Sequence, residues 1–444
     1  MQIKEKLHKA RPAWEFASIG VFGTRFRGEF GTILATWERT GMNKETVDAL
    51  LTALLKIGDV SDILFVTDKP PLVEIHGLLY EIPVEAEDSI FSAGKIKQLA
   101  EFITNGNERL QRDFDQRGSC DCSYCIDTVA RFRVNIFKQN GRPAIVMRKL
   151  ASAIPSLESL ALPPVFREIL AEKNGIIFVT GATGMGKTTT LAAMIDAINE
   201  KDAIHIVTLE DPIEFQHSHK KAIISQREMG RDFPTFADGL RAALRQAPKV
   251  ILLGEVRDRD SMEIAMSASE TGHLVFCTLH TVNAGQTISR ILGMFPREEE
   301  PQLRQRLSET IRYIASQRLV SKINGGRLLM TEVMGSSLRT REAMVYGESE
   351  NRTFIEMMES GSTLGWHTFD QSLLGAFEAN LVTDETAMTY CTNKSRMRRA
   401  LDLAKKRHGT AEAEKPSGLK LNIPEPIEAI LEAQRVRAAA SRNG

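Results

Sequence analysis

Apolar and polar positions change texture twice along the chain. From just after Met42, residues Val47, Leu50, Leu51, Leu54 and Leu55 recur on one helical face, and an apolar strand pattern follows over 62–66. Beyond the turn at Lys69-Pro70-Pro71, strand patterns over 72–77 and 130–136 complete a small α/β domain spanning 42–150. In the second of these, Phe132, Val134 and Ile136 alternate with Arg131, Arg133 and Asn135, which puts the arginines on one face. Pro155, Pro163 and Pro164 mark a linker, taken as 151–162. From 175 short apolar runs alternate with helical stretches: 175–180, 207–209, 250–253 and 273–279 read as buried parallel strands. Leu191, Met194, Ile195 and Ile198 form the face of a helix after the first of them. This predicts an α/β fold with a mainly parallel sheet over 163–345. Beyond about 300 the pattern reads as helical, with a helical region over 346–410 and a flexible tail over 411–444 that carries one short amphipathic segment (Ile427, Ile430, Leu431). Residues 1–41 match no domain pattern and stand unassigned, and Met42 is a candidate translation start.

Composition narrows the function classes without choosing one. The 444 residues suit two or three domains at roughly 100–200 residues each. With 57 basic and 57 acidic side chains the chain is neutral, unlike a general nucleic-acid or membrane-surface binder. No run approaches the ~18 uncharged apolar residues of a membrane-spanning helix, and no cleavable leader is recognisable, so a cytoplasmic location is expected. Five cysteines, three of them at Cys120, Cys122 and Cys125, are too few for a disulfide framework, and C-x-C-x-x-C alone makes no tetrahedral zinc site. They are read as a strand in a reducing compartment.

Chemistry enters at residues 181–188. Gly-Ala-Thr-Gly-Met-Gly-Lys-Thr fits G-x-x-x-x-G-K-[ST] in full, after an apolar run and at the head of a helical one. Such a loop curls its amides around phosphate oxygens, and the helix N-terminus adds partial positive charge. The candidate ATP-binding set is therefore Gly181, Thr183, Gly184, Met185, Gly186, Lys187, Thr188 and Thr189, with the Thr188 hydroxyl on Mg²⁺. Acidic clusters end two of the later strands, one containing Glu210, Asp211 and Glu214 and the other Glu255 and Asp258. A carboxylate at the C-terminal end of a parallel strand faces the phosphate loop, where it can hold Mg²⁺ through water or polarise an attacking water.

The four motifs in series, 181–188, 208–214 (an Asp box), 251–258 (an atypical Walker B) and 271–280 (a His box), resemble the secretion-superfamily ATPases of the PilT/PilU twitching-motility branch, over about 55–400. Matching pieces at 131–135, 226–228, 240–245, 316–317 and 365–371 support the resemblance. It implies a PAS-like N-terminal α+β domain, a RecA-like P-loop domain, ATP between them and a homohexameric ring. It also implies roles: Glu255 as catalytic carboxylate and Glu210 as a second essential acid. His273 and His280 would couple nucleotide state to the strand they flank. Arg133 and Arg148 would reach the γ-phosphate, with Arg131 next in line. A lone histidine near a core strand is more often simply hydrogen-bonded, and His205, His217 and His219 are read that way. Implied partners are an inner-membrane pilus platform protein and a paralogous retraction ATPase, without direct nucleic-acid contact, at the cytoplasmic base of a type IV pilus. The basic run from Arg396 to Arg407 could dock an acidic platform surface, though most such runs are solvated helix faces. The alternatives are an accessory PilU-like ATPase, favoured by the poor match at 337–344 and by the long tail, and a related secretion or DNA-transfer ATPase.

Overall fold

The computed structural model describes residues 30–82, 90–127, 129–150, 153–350 and 352–407. The first sheet is antiparallel throughout and has the order β3-β2-β1-β6-β5-β4. Its strands are β1 (Val60–Val66), β2 (Leu72–Ile75), β3 (Leu78–Glu81), β4 (Ser119–Ile126), β5 (Ala130–Gln139) and β6 (Arg142–Lys149). Alternation along β5 sends Phe132, Val134 and Ile136 into a core shared with Val47, Leu50, Leu51 and Leu54 of the helix Lys44–Leu55. That helix starts at a capping box in which Asn43 accepts from the Thr46 amide.

Residues 30–40, part of the stretch read as unassigned, form a helix that buries Phe30, Leu34 and Trp37 in the same core. Trp37 meets Phe91 edge-on with ring centroids 5.6 Å apart. The i, i+4, i+7 spacing was present in the sequence. Weak helix formers obscured it: Gly31, Thr32 and Thr36 lie between and Thr40 follows, and the Thr36 and Thr40 hydroxyls bond back to the carbonyls of Thr32 and Thr36. The expectations about 411–444, including Ile427, Ile430 and Leu431, fall outside the described residues, as do those about 1–29.

The second sheet has seven strands in the order β13-β12-β7-β11-β10-β8-β9. These are β7 (Gly175–Thr180), β8 (His205–Glu210), β9 (Ile223–Glu228), β10 (Val250–Leu253), β11 (Leu274–Leu279), β12 (Ile311–Ser321) and β13 (Arg327–Gly335). All pairings are parallel except β12 with β13. Helices cover both faces, so β7 buries Ile176 and Phe178 on one side and Ile177 and Val179 on the other. Burial on both faces is why it reads as an unbroken apolar run.

The expectation of helix from about 300 onward is corrected over 311–335, where β12 and β13 add a hairpin to the sheet. The helix Glu300–Thr310 precedes it. In β12, Ile311, Ile314 and Ala315 mimic a helical face because a register shift between Ile311 and Tyr313 breaks the two-residue period. From Leu338 the chain is helical as expected, with Leu338–Tyr346 and Phe354–Ser360. The described residues up to 372 form one compact unit and the described residues from 373 a second. In the second unit, the helix Lys394–Arg407 buries Met397, Leu401 and Ala404, and Lys405 pairs with Asp384 at 2.9 Å. Among the described residues, no helix is long and apolar enough to cross a membrane.

Candidate active site

Parallel pairing gathers the sequence motifs at one sheet edge. Thr180 at the end of β7 pairs with Leu279, and Leu253 at the end of β10 pairs with Cys277 and Leu209. The 181–186 loop, Glu210, Glu255 and His280 therefore all lie at or just beyond the C-terminal ends of adjacent strands. The loop turns on residues that only glycine suits: Gly181 has φ 146°, and a Cβ there would come within 2.7 Å of the Gln317 carbonyl oxygen. Gly186, at φ 81°, opens the helix Lys187–Lys201, whose N-terminus has no side-chain cap. Its first amides are thus free for an anion. Met185 lies against β12, its sulfur accepting from the Leu319 amide at 3.3 Å. Behind the loop, Gln317 donates to Thr190 at 2.8 Å and Thr180 to Ser316 at 2.9 Å. Thr183 and Gly184 are exposed, while Thr188 and Thr189 are half-buried beside Lys187.

Lys187 is buried and donates to the carbonyls of Gly181 at 2.8 Å and Ala182 at 3.1 Å. Burial lowers its pKa, against the charges of Glu255 and Glu214. Glu255 is held at both oxygens: Arg257 donates to Oε2 at 2.8 Å, and His280 Nε2 lies 3.1 Å from Oε1. The other His280 nitrogen is 3.5 Å from the Lys187 ammonium, so the imidazole bridges the two. For Glu255, burial raises the pKa, but the Arg257 hydrogen bond and the charges of Arg257, His280 and Lys187 outweigh it, leaving the value lowered.

Glu210 is placed differently. It is buried, and burial pushes its pKa up to about 7, opposed by hydrogen bonds from Thr208 at 2.6 Å and Gln226 at 3.1 Å and by the charge of Arg131. Burial also raises Asp211, against the charges of Arg257, Arg109 and Arg133.

The three sheet arginines separate in role. Arg131 pairs with Glu228 at 2.5 Å, which removes it from the phosphate-reaching set in this structure. Arg148 donates to Asp62 at 2.9 Å with its side chain mostly exposed. Arg133 is exposed and lies opposite Arg148 in the β5–β6 register. His273 is not brought to the loop. It precedes Leu274, which pairs with Gly175 at the far end of β7, and its Nδ1 sits 2.9 Å from the Ala268 carbonyl. His205 bridges the Gln246 carbonyl and Ser225, each at 2.9 Å, while His219 accepts from the Ile224 amide and the His217 side chain is buried. Cys120, Cys122 and Cys125 lie on β4. Among the described residues, no three His, Cys, Asp or Glu side chains group as metal ligands. Arg257, Gln226 and Glu228 were missed as site residues; each stands inside a motif, but only its fold partner reveals its contact.

Comparisons with known proteins agree with this geometry. Residues 122–383 match the family described as "Type II/IV secretion system protein". The chain is 37% identical over 358 residues to the type IV pilus retraction ATPase PilT of Pseudomonas aeruginosa, covering 80% of this chain and 96% of that protein. It is 32% identical over 380 residues to the type IV pilus ATPase PilU of the same organism, covering 85% and 96%. The solved structure of the pilus retraction motor PilT with bound ADP superposes with a TM-score of 0.70 at 37% identity, over 80% of this chain and 99% of that one.

Proposed function

The chain belongs to the type II/IV secretion system protein family, in its PilT/PilU branch, and from that premise we propose that it is the ATP-hydrolysing motor of type IV pilus retraction. It works as a homohexamer, with 163–345 as the hydrolytic domain and 42–150 as the domain that supplies arginines. The observation that carries this reading is the convergence of an uncapped helix N-terminus, Lys187, and a carboxylate held at both oxygens on the ends of adjacent strands.

Lys187 and the amides that open its helix bind the phosphate chain. Glu255 takes a proton from the water that attacks the γ-phosphorus as the bond to the ADP oxygen breaks. Arg257 and His280 orient its two oxygens, and their charges keep it ionised, as a base at neutral pH must be. Thr188 would hold Mg²⁺ through its hydroxyl, with Glu210 reaching it through water, and so few protein ligands suit an ion that keeps water and phosphate in its shell. When bound, it neutralises phosphate charge. Arg133 and Arg148 reach the γ-phosphate from the first sheet, where a planar guanidinium pairs well with phosphate oxygens. His273 and His280, at the two ends of β11, relay nucleotide state along it. The partner at the pilus base is an inner-membrane platform protein, and the basic run on the helix Lys394–Arg407 is read first as a solvated face.

Similarity to PilU over nearly its whole length supports a second reading, an accessory ATPase acting through a paralogous motor. Steady-state ATP turnover by the purified chain, lost in Lys187→Ala, tests the enzyme. Deleting the gene from its own cell separates the two roles: complete loss of twitching supports the motor, and a mild defect supports the accessory.

A further inference from the structure

Contact between the two sheets converges on one buried carboxylate. Glu228 ends β9, only 6% exposed, and each of its oxygens is engaged from the first sheet. Oε1 accepts from Ser123 Oγ of β4 at 2.7 Å, and Oε2 accepts from Arg131 Nη2 of β5 at 2.5 Å. Oε2 also accepts from the backbone amide of Ile213 at 3.2 Å. Ile213 belongs to the 211–214 segment that continues directly from Glu210. Arg131 donates as well to Ser123 Oγ at 3.3 Å, while the Glu228 amide is fixed by Asp232 Oδ2 at 2.7 Å. A second tie lies close by, where Asn107 donates to the Gly230 carbonyl at 3.2 Å. A carboxylate this buried is costly unless paired and hydrogen-bonded. The pairing cation comes from the other sheet, so the position of Glu228 depends on that sheet being docked.

We propose that Glu228 is a positioning residue: docking of the first sheet through Arg131 and Ser123 fixes the Glu228 carboxylate, which holds the 211–214 segment in place beside the phosphate loop. ATP hydrolysis then proceeds at full rate only in the docked arrangement; this last step rests on the ATPase reading above. Arg131 acts as the docking cation, and Arg133, two residues along the same face, is left for the nucleotide. The charge of Arg131 also reaches Glu210 and opposes the effect of its burial.

Hydrogen exchange on the full chain tests the coupling without any turnover. In Arg131→Met, exchange of the Ile213 amide should rise about tenfold or more, while β7 and β11 stay protected and report an intact fold. Arg142→Met, which removes the Asp68 ion pair elsewhere on the same sheet, should leave Ile213 as in the wild type. Ser123→Ala, which keeps the ion pair, should give a smaller rise. In turnover, Arg131→Met and Glu228→Gln should each lower kcat about tenfold with KM nearly unchanged, and the double variant should be no worse than either single one. Unchanged Ile213 exchange in Arg131→Met, or additive losses in the double variant, would overturn the proposal. Raised Ile213 exchange in Arg131→Met, beside a wild type that hydrolyses no ATP, would support the coupling and overturn the hydrolytic reading instead.

Discussion

The strand ends of the second sheet and the polar face of the first handle charge in opposite ways. At the strand ends the charges of Lys187, Glu210 and Glu255 are buried or half-buried and answered: Lys187 by two loop carbonyls, Glu210 by Thr208 and Gln226, Glu255 by Arg257 and His280. On the first sheet, Arg133 and Arg148 stand directly opposite each other across β5 and β6, both largely exposed, and like charges in that register repel. Asp62 answers Arg148. The enclosed region is preorganised, as groups that act on a developing charge need to be. The arginine face carries a small cost that an anion between the two guanidinium groups would relieve. That difference separates the region proposed to carry the chemistry from the face proposed to reach the phosphate.

The largest effect should come from Lys187→Ala, which removes the cation of the enclosed region. ATP turnover should fall at least about a thousandfold, or roughly 4 kcal/mol, in a steady-state assay. A loss of only a few fold would mean that the enclosed site is not where hydrolysis occurs.

Glu210 comes next. Its pKa near 7 in the fold lies above the ordinary glutamate value, so the folded state holds an extra proton between roughly pH 4.5 and 7. Stability from this group is greatest below that window and declines as pH rises through it, by on the order of 3 kcal/mol in the nucleotide-free chain. Denaturant unfolding at pH 5 and pH 8 should show that decline in the wild type, with a smaller one in Glu210→Gln. An identical pH dependence in both would mean that Glu210 is not enclosed as described.

The smallest effects on folding, and the sharpest contrast, belong to the arginine face. Arg133→Ala should cut turnover about a hundredfold while folding stability stays level or rises by a few tenths of a kcal/mol, because a repulsion is removed. Turnover and stability falling together would show Arg133 to be structural. Arg148→Ala should cost stability by about 1 kcal/mol, because Asp62 is buried and would lose its guanidinium partner.

How much of this was legible follows the same division. The phosphate loop could be read residue by residue because its chemistry demands glycine, lysine and a hydroxyl at set intervals. Strands β7, β10 and β11 were legible because burial on both faces makes them continuous apolar runs. β12 is equally central, but its register shift scrambled the periodicity and it read as helix. The alternation in β5 revealed a shared arginine face, yet the separate fates of Arg131 and Arg133 were hidden. Glu228 lies 97 residues beyond Arg131 and nothing local links them. His273 and His280 looked equivalent from spacing, but a six-residue strand carries them to opposite ends of the sheet.

The central claim is that Glu255, held by Arg257 and His280, is the base for ATP hydrolysis at the 181–188 loop. Single-turnover ATP cleavage, measured beside equilibrium ATP binding for the wild type and Glu255→Gln, tests it most directly. Binding within about twofold of the wild type, with cleavage slowed by about a hundredfold or more, is the predicted result. Cleavage at the wild-type rate by Glu255→Gln would contradict it.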